Sequence, residues 1–447
     1  MFKSFKLVIL LVLTSGNVLS AATYYVSKTG SDSNNGSSSS PFLTISKSIS
    51  AATSAGDVVN IGAGTYSETV TLNTSGSAGN PITFIGSGVV IGGNLYINAN
   101  YVTVSGITDS PPSAGMYNAI SVNGQNDILT NCTVVNYGAT ASDQATAIGI
   151  GGAYNLVVNC VIRDLNDIDA FHVFGHDQTV LGCTVTNVLQ VNYALNHTDF
   201  VQSWNTGAGA YNILFKNCTC VDSTCQAGNT ETDGSATLHD WTFENCVWEN
   251  VAQPFFCGIT RTKFYNCVFY KSCDNSGSST PIIFYGIANY DSTGSGAVNC
   301  VFLQCGPTPS STSQGGIGSD GATLTSLLID HNYFAGTSYA AKVSSSGNYL
   351  GTNPVNGGDP KFVNETGYNF HLLTNSVLIG KGINLFVAPI NLLGIVTNLV
   401  SAFTTDRDGN LLPSSGAWDV GAYEYTANNG NLTPPPTPSG LKILLSP

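Results

Sequence analysis

The chain reads as all-β, a parallel β-helix solenoid with a short N-terminal capping helix, and three observations predict its coils. An Asn-Cys-x-apolar unit recurs around Cys132, Cys160, Cys183, Cys218, Cys246, Cys267 and Cys300, with Gly182 replacing Asn once, at spacings of 21 to 35 residues. That range marks repeat architectures whose units touch only their neighbours. Two apolar columns flank the Cys: Leu129, Val157, Val180, Phe215, Phe243, Phe264 and Ala297 three residues before it, and Val134, Ile162, Val185, Cys220, Trp248, Phe269 and Phe302 two residues after it. Cys and its second neighbour face one way, as a strand requires, whereas the earlier column breaks that parity, so the chain bends at the Asn. Asn tolerates the left-handed backbone such a bend needs, and amides stacked coil upon coil are placed to hydrogen-bond to each other. Finally, charged residues make up only 9% of the chain while Gly alone numbers 49, as expected of many short strands joined by turns.

Residues 1–22 read as a secretion leader, since Lys3 and Lys6 precede an unbroken apolar run, Leu7 to Leu13, and small residues follow. The run is too short to span a bilayer. Residues 23–425 read as one domain with caps at both ends, because a solenoid lengthens its core by adding coils instead of splitting. Its entry is a strand from Thr23, a polar turn, a helix, then Gly56-Asp57-x-Val59 and Gly64-Thr65-Tyr66. Together with the Asn column, this segment resembles the right-handed parallel β-helix of the pectate lyase superfamily in its secreted bacterial form. Residues 359–373 with Trp418–Tyr425 resemble the closing coil of such proteins. The resemblance implies fold strongly and activity weakly, because the superfamily hosts lyases, hydrolases, epimerases, tailspikes and adhesins. Residues 426–447, rich in Pro and Thr, form a tail outside the sheets.

Secretion permits disulfides, but the seven column cysteines point inward and read as buried thiols acting as small apolar residues. Cys273 and Cys305, which follow their column cysteines by six and five residues, suggest a turn-to-turn disulfide. Cys220, Cys225 and Cys257 carry no assigned pairing. The segment from Asp32 to Gly36 shares part of a calcium loop but lacks its closing Glu, and reads as a Gly/Asn turn. Zinc-type Cys/His spacings and phosphate-binding Gly-rich loops are absent.

Chemistry on such a scaffold needs polar side chains from adjacent coils, and the segment from Asp164 to Lys263 supplies them. His197 and Asp199, two apart, are expected on one strand face, where an imidazole and a carboxylate reach the same substrate. Asp169 and His172 precede them by one coil, and Arg261 follows; these five are the candidate catalytic residues. Gln202, Trp204, His239 and Lys263 are the candidate substrate contacts.

A polysaccharide lyase would use His197 as base, with Arg261 or Lys263 neutralising a uronate carboxyl. A glycoside hydrolase would use Asp169 with Asp199, or Asp199 with Glu231 or Asp233, at about 5–5.5 Å for retention or roughly 6.5–9.5 Å for inversion. An epimerase fits less well, because the Asp-Pro-His-Asp/Glu motif is missing. A non-enzymatic glycan-binding or adhesive role is the remaining reading. The net charge of −13 disfavours nucleic acid and repels a polyanionic glycan unless Ca²⁺ bridges it, with Asp164 and Asp167 as the candidate ligands. The expectation is a secreted monomer acting on an extended polysaccharide, a lyase first and a hydrolase second.

Overall fold

A computed structural model describes residues 21–110, 118–139, 145–192, 197–204, 207, 209–231, 237–273, 280–285, 291–321, 327–345, 348–386 and 404–426. The expected leader, apart from its last two residues, and nearly all of the expected tail lie outside them. Short strands stack in parallel from Thr23–Val26 to Val355–Asn356. One coil is typical: Leu156–Val158, Val161–Asn166 and Asp169–Val173 form three sides, and Thr179–Leu181 begins the next coil directly over the first strand. Among the described residues, no helix is long and apolar enough to cross a membrane.

Both sequence columns are the interior of this parallel β-helix. The strand register runs Leu129, Val157, Val180, Phe215, Phe243, Phe264, Ala297 in one column. The other runs Val134, Ile162, Val185, Cys220, Trp248, Phe269, Phe302, and continues to Phe334. All of these side chains are buried. Rings lie face to face along the axis: Phe243 on Phe264 at 5.0 Å, Trp248 on Phe269 at 4.7 Å, Phe269 on Phe302 at 5.1 Å.

The bends fall where Asn predicted them, with positive φ at Asn131, Asn159, Gly182, Asn217, Asn245, Asn266 and Asn299. A second left-handed column lies four residues after each Cys: Asn136, Asp164, Asn187, Asp222, Asn250, Lys271 and Gln304. There side chains do bond between coils, Asn187 Nδ2 donating to Asp164 Oδ1 at 2.7 Å and Asn250 Nδ2 to Asp222 Oδ1 at 2.7 Å. In the first column, Asn245 and Asn299 donate instead to Thr405 O and Ile383 O.

All twelve cysteines are buried and none is disulfide-bonded, so the Cys273–Cys305 disulfide suggested by spacing does not form. Their thiols are satisfied separately, Cys273 Sγ on Thr280 O and Cys305 Sγ on Phe269 O. Column thiols also find carbonyls of the coil before; Cys246, Cys267 and Cys300 reach Phe215 O, Phe243 O and Phe264 O, each at 3.5 Å. Cys suits this position because it is small, apolar and a weak donor.

At the entry, the helix Ile45–Ala51 is capped by Thr44, whose hydroxyl accepts from Lys47 N. Asp32 accepts from Leu43 N, Thr44 N and the Thr44 hydroxyl, so the fragment that shares part of a calcium loop anchors the capping helix. At the other end, residues 378–386 and 404–425 do not stack as a further coil. They return along the flank of the solenoid: Leu385, Leu412 and Trp418 pack on Tyr265 and Val298, while Leu378 and Val420 join the cluster of Val268 and Val301. Arg407 Nη1 donates to Asn245 O at 2.6 Å and Cys218 O at 3.2 Å, fastening the strap to bend carbonyls.

One interior position breaks the apolar pattern. Asp109 stands between Ile91 and Val134 in the strand register, is fully buried, and neither carboxyl oxygen has a hydrogen-bond partner. Burial pushes its carboxyl up to about 8. The folded state therefore keeps a proton that the unfolded chain, titrating near ~3.9, releases; the resulting stability is present below that value and lost as pH rises through about 8. Asp109→Val is expected to stabilise the protein by roughly 1–3 kcal/mol, with a gain that grows across that pH window. Melting curves of both proteins at three pH values check this; an equal shift at every pH would contradict it.

Candidate functional site

The centre is built on the third side of three consecutive coils. His172, Gln202 and Asn229 occupy successive rungs of one row. His197 and Asp199 come from the connection that leads into the strand Val201–Ser203. They do not share a strand face. Residues 197–198 are not in a strand, and Asp199 makes only an isolated bridge to Gln226. Asp199 is 0% exposed, whereas the His197 side chain is 46% exposed. The expected pair of solvent-facing groups is thus an imidazole at the surface with a carboxylate behind it.

The hydrogen bonds run inward from that imidazole. His197 Nδ1 donates to Asp199 Oδ2 at 2.8 Å, and the Asp199 backbone N–H donates to Asp169 Oδ1 at 2.7 Å. Asp169 Oδ2 accepts from His172 Nε2 at 2.7 Å. The Gln202 amide nitrogen lies 3.4 Å from His197 Nε2. Trp204 meets His172 edge to face at 4.8 Å and Phe174 at 4.9 Å, so His172 is covered while Trp204 stays half-buried. Asn229 Nδ2 donates to Glu231 Oε1 at 2.9 Å on the next coil.

Six of the sequence candidates therefore meet in one place: His197, Asp199, Asp169, His172, Gln202 and Trp204. Asn229 joins them without having been singled out; as an Asn it matched the turn pattern found elsewhere in the chain, and only the coil register reveals it.

Burial raises the Asp199 carboxyl, Asp169 and Glu231 add to the effect, and His197 opposes it. The Asp199 carboxylate pushes His197 up to about 9, against the desolvation of the ring. Hydrogen bonding to the charged form and a buried counter-ion are the causes. Asp199 Oδ1 has no partner, so that carboxylate depends on the imidazole for its compensation.

Arg261, Lys263 and His239 are elsewhere. Arg261 Nε and Nη2 hold both oxygens of Asp240 at 2.6 and 2.7 Å, and Asp240 also accepts from His239 Nδ1 at 2.6 Å. Burial raises Asp240, but Arg261 and His239 outweigh it and hold its carboxyl below the usual range. Lys263 is buried on a different side of the coil, paired in register with Thr242 and Gly296, and burial lowers it to about 8. They fall outside the His197 row because the coils lengthen after Trp204 and Glu231, which shifts everything downstream onto the next side.

Asp164 and Asp167 do not come together as cation ligands. Asp164 is a left-handed turn residue bonded by Arg163 and Asn187. Asp167 Oδ1 accepts from Val191 N, Asn192 N and the Gln190 amide. Among the described residues, no group of three or more His, Cys, Asp or Glu is arranged to hold a metal ion.

Comparison with known proteins places the fold. The chain superposes on the crystal structure of pectate lyase Pel9A with a TM-score of 0.56 at 18% identity, covering 91% of this chain and 96% of that one. A family 6 polysaccharide lyase from Pseudopedobacter saltans gives a TM-score of 0.48 at 14% identity over 68% of this chain and 86% of its own. The protein has the parallel β-helix fold of pectate lyase. The family model described as "Protein of unknown function (DUF1565)" matches residues 28–73, the entry segment and its helix. The uncharacterized protein YwoF of Bacillus subtilis is 36% identical over 129 residues, a match spanning 28% of this chain and 24% of that protein.

Proposed function

We propose that the protein is a polysaccharide lyase acting by β-elimination on an extended uronate chain, with His197 as the base and with the attacked residue's carboxyl esterified. One observation supports this above the others: His197 is exposed and held through Nδ1 by a fully buried Asp199, with the Gln202 amide 3.4 Å from its Nε2. A carboxylate that orients an imidazole and fixes its tautomer is the arrangement general-base chemistry needs. The paired-carboxylate alternative fits less well, because Asp169 and Asp199 are both buried and bonded to histidines.

The ester follows from charge. Asp169, Asp199 and Glu231 surround the centre, Arg261 is engaged by Asp240, and Lys263 is buried on another side. An ionised uronate carboxyl there meets like charge, whereas an ester does not. In the reaction, Nε2 takes the proton on the carbon bearing the ester. That C–H electron pair becomes the new C=C bond as the neighbouring glycosidic C–O bond breaks. The imidazolium then gives its proton to the departing oxygen. Gln202 stands beside the imidazole and Trp204 beside His172, to bond and stack on the sugar. No step runs through calcium.

The test is incubation with highly methyl-esterified pectin and with the same pectin after de-esterification. The expected result is new ultraviolet absorbance from unsaturated uronate ends, at least about tenfold faster on the ester and undiminished in excess chelator. Faster cleavage of the acid form, or activity restored only by Ca²⁺, would contradict the reading. Reducing ends without unsaturation would turn it into a hydrolase, and binding without either product would leave a glycan-binding protein.

A further inference from the structure

On the same coils, past the bend that follows His172, a second row of side chains faces outward. It runs His176, Tyr211, His239 in strand register, with Tyr154 at its near end and Thr260 paired to His239 at its far end. The rings form one column: His176 on Tyr211 at 5.0 Å and 12°, and Tyr211 on His239 at 5.2 Å and 24°. Tyr154 meets His176 edge-on at 5.4 Å and is 55% exposed.

Both imidazoles are held through Nδ1, His176 by Asp177 at 2.6 Å and His239 by Asp240 at 2.6 Å. Their orientations are fixed again from behind, since Asn212 Nδ2 bonds Asp177 at 3.2 Å and Arg261 holds Asp240. Among the described residues, His176 Nε2, the Tyr211 hydroxyl and His239 Nε2 have no hydrogen-bond partner, and the His176 and His239 side chains are 33% and 26% exposed. The surface thus presents three pre-oriented hydrogen-bonding groups, one per coil, in a straight line parallel to the axis.

Such a ladder repeats at the coil spacing and serves poorly as a chelating site, because its two imidazoles are two rungs apart. It suits a chain whose hydroxyls recur along its length. Each carboxylate in the row is matched by His or Arg, leaving no surplus cation for a polyanion. His172 and His176 are four residues apart, at most about 14 Å along the backbone, so the two rows flank the bend on the same coils.

We infer that the His176–Tyr211–His239 ladder is a second glycan-binding site, separate from the His197 centre, that holds an uncharged, hydroxyl-bearing stretch of polysaccharide parallel to the solenoid axis. The ligand class rests on the polysaccharide reading above, but the site is tested without catalysis. Affinity electrophoresis through highly methyl-esterified pectin is run on protein already carrying His197→Ala. Adding Tyr211→Phe, which keeps the ring stack and removes only the hydroxyl, is expected to weaken retardation about threefold; His176→Ala with His239→Ala is expected to weaken it about tenfold or more. Melting of the Tyr211→Phe protein should stay within a few degrees of its parent. A parent that pectin does not retard, or variants retarded as strongly as the parent, would overturn the site. Retardation that depends on Tyr211 while the wild type releases no unsaturated ends would keep the ladder and discard the lyase.

Discussion

Phe264→Ala is expected to cost about 3–5 kcal/mol of stability. Its ring is fully buried, lies flat on Phe243 at 5.0 Å and meets Phe255 at 5.1 Å and Trp248 at 6.0 Å. In a solenoid each rung is supported chiefly by the rungs above and below, so a hole in an aromatic column is not filled from the side. The next rung is Ala297, too small to close the gap. Denaturant unfolding followed by Trp fluorescence reads the loss directly, because Trp248 borders the cavity. A cost below about 1 kcal/mol would mean that the column relaxes around the hole, and that stacking does little for this core.

His197→Ala is expected to lower turnover by about 10²-fold or more while leaving the melting temperature within a few degrees. The imidazole is half exposed and fills no interior space, and without it the buried Asp199 carboxyl, already raised by burial, takes up a proton, which limits the cost to the fold. Single-turnover rate and melting are measured on the same preparation. If His197 only stabilises its connection, the opposite pattern appears: clear destabilisation, with activity falling only in proportion to folded protein.

Much of the fold was legible because interior positions recur at fixed distances from each Cys. The apolar columns and Asn bends needed only counting, and the stacking of Phe264, Trp248 and Phe269 followed. The ladder was legible by the same rule: His176, Tyr211, His239 and Thr260 each stand seven residues before a column Cys. The His197 centre obeys no such count, since His172, Gln202 and Asn229 stand 11, 16 and 17 residues before theirs. Insertions between those residues and the next Cys destroy the period, so His239, Arg261 and Lys263 looked like neighbours of His197.

Two further differences have local causes. Asp199 was read as surface because strand parity was applied to a connection that is not a strand. Asp164 was read as a cation ligand because an Asp in a turn is chemically ambiguous. Its recurrence with Asn136, Asn187 and Asp222 at four residues past Cys marks it as a left-handed bend residue.

The most direct test of the central claim, that Asp199 tunes His197 as the base, is the pH dependence of elimination by wild type and Asp199→Asn. With His197 raised to about 9, the wild-type imidazole is protonated at neutral pH, and its rate should climb with pH, half-maximal near 9, to a plateau above that value. Replacing the carboxylate by an amide keeps an acceptor for Nδ1–H but removes the charge, so the ascending limb should move down towards the ordinary imidazole value of ~6.5, with a lower plateau. A limb that stays in place in Asp199→Asn would contradict the assignment of His197 as the base.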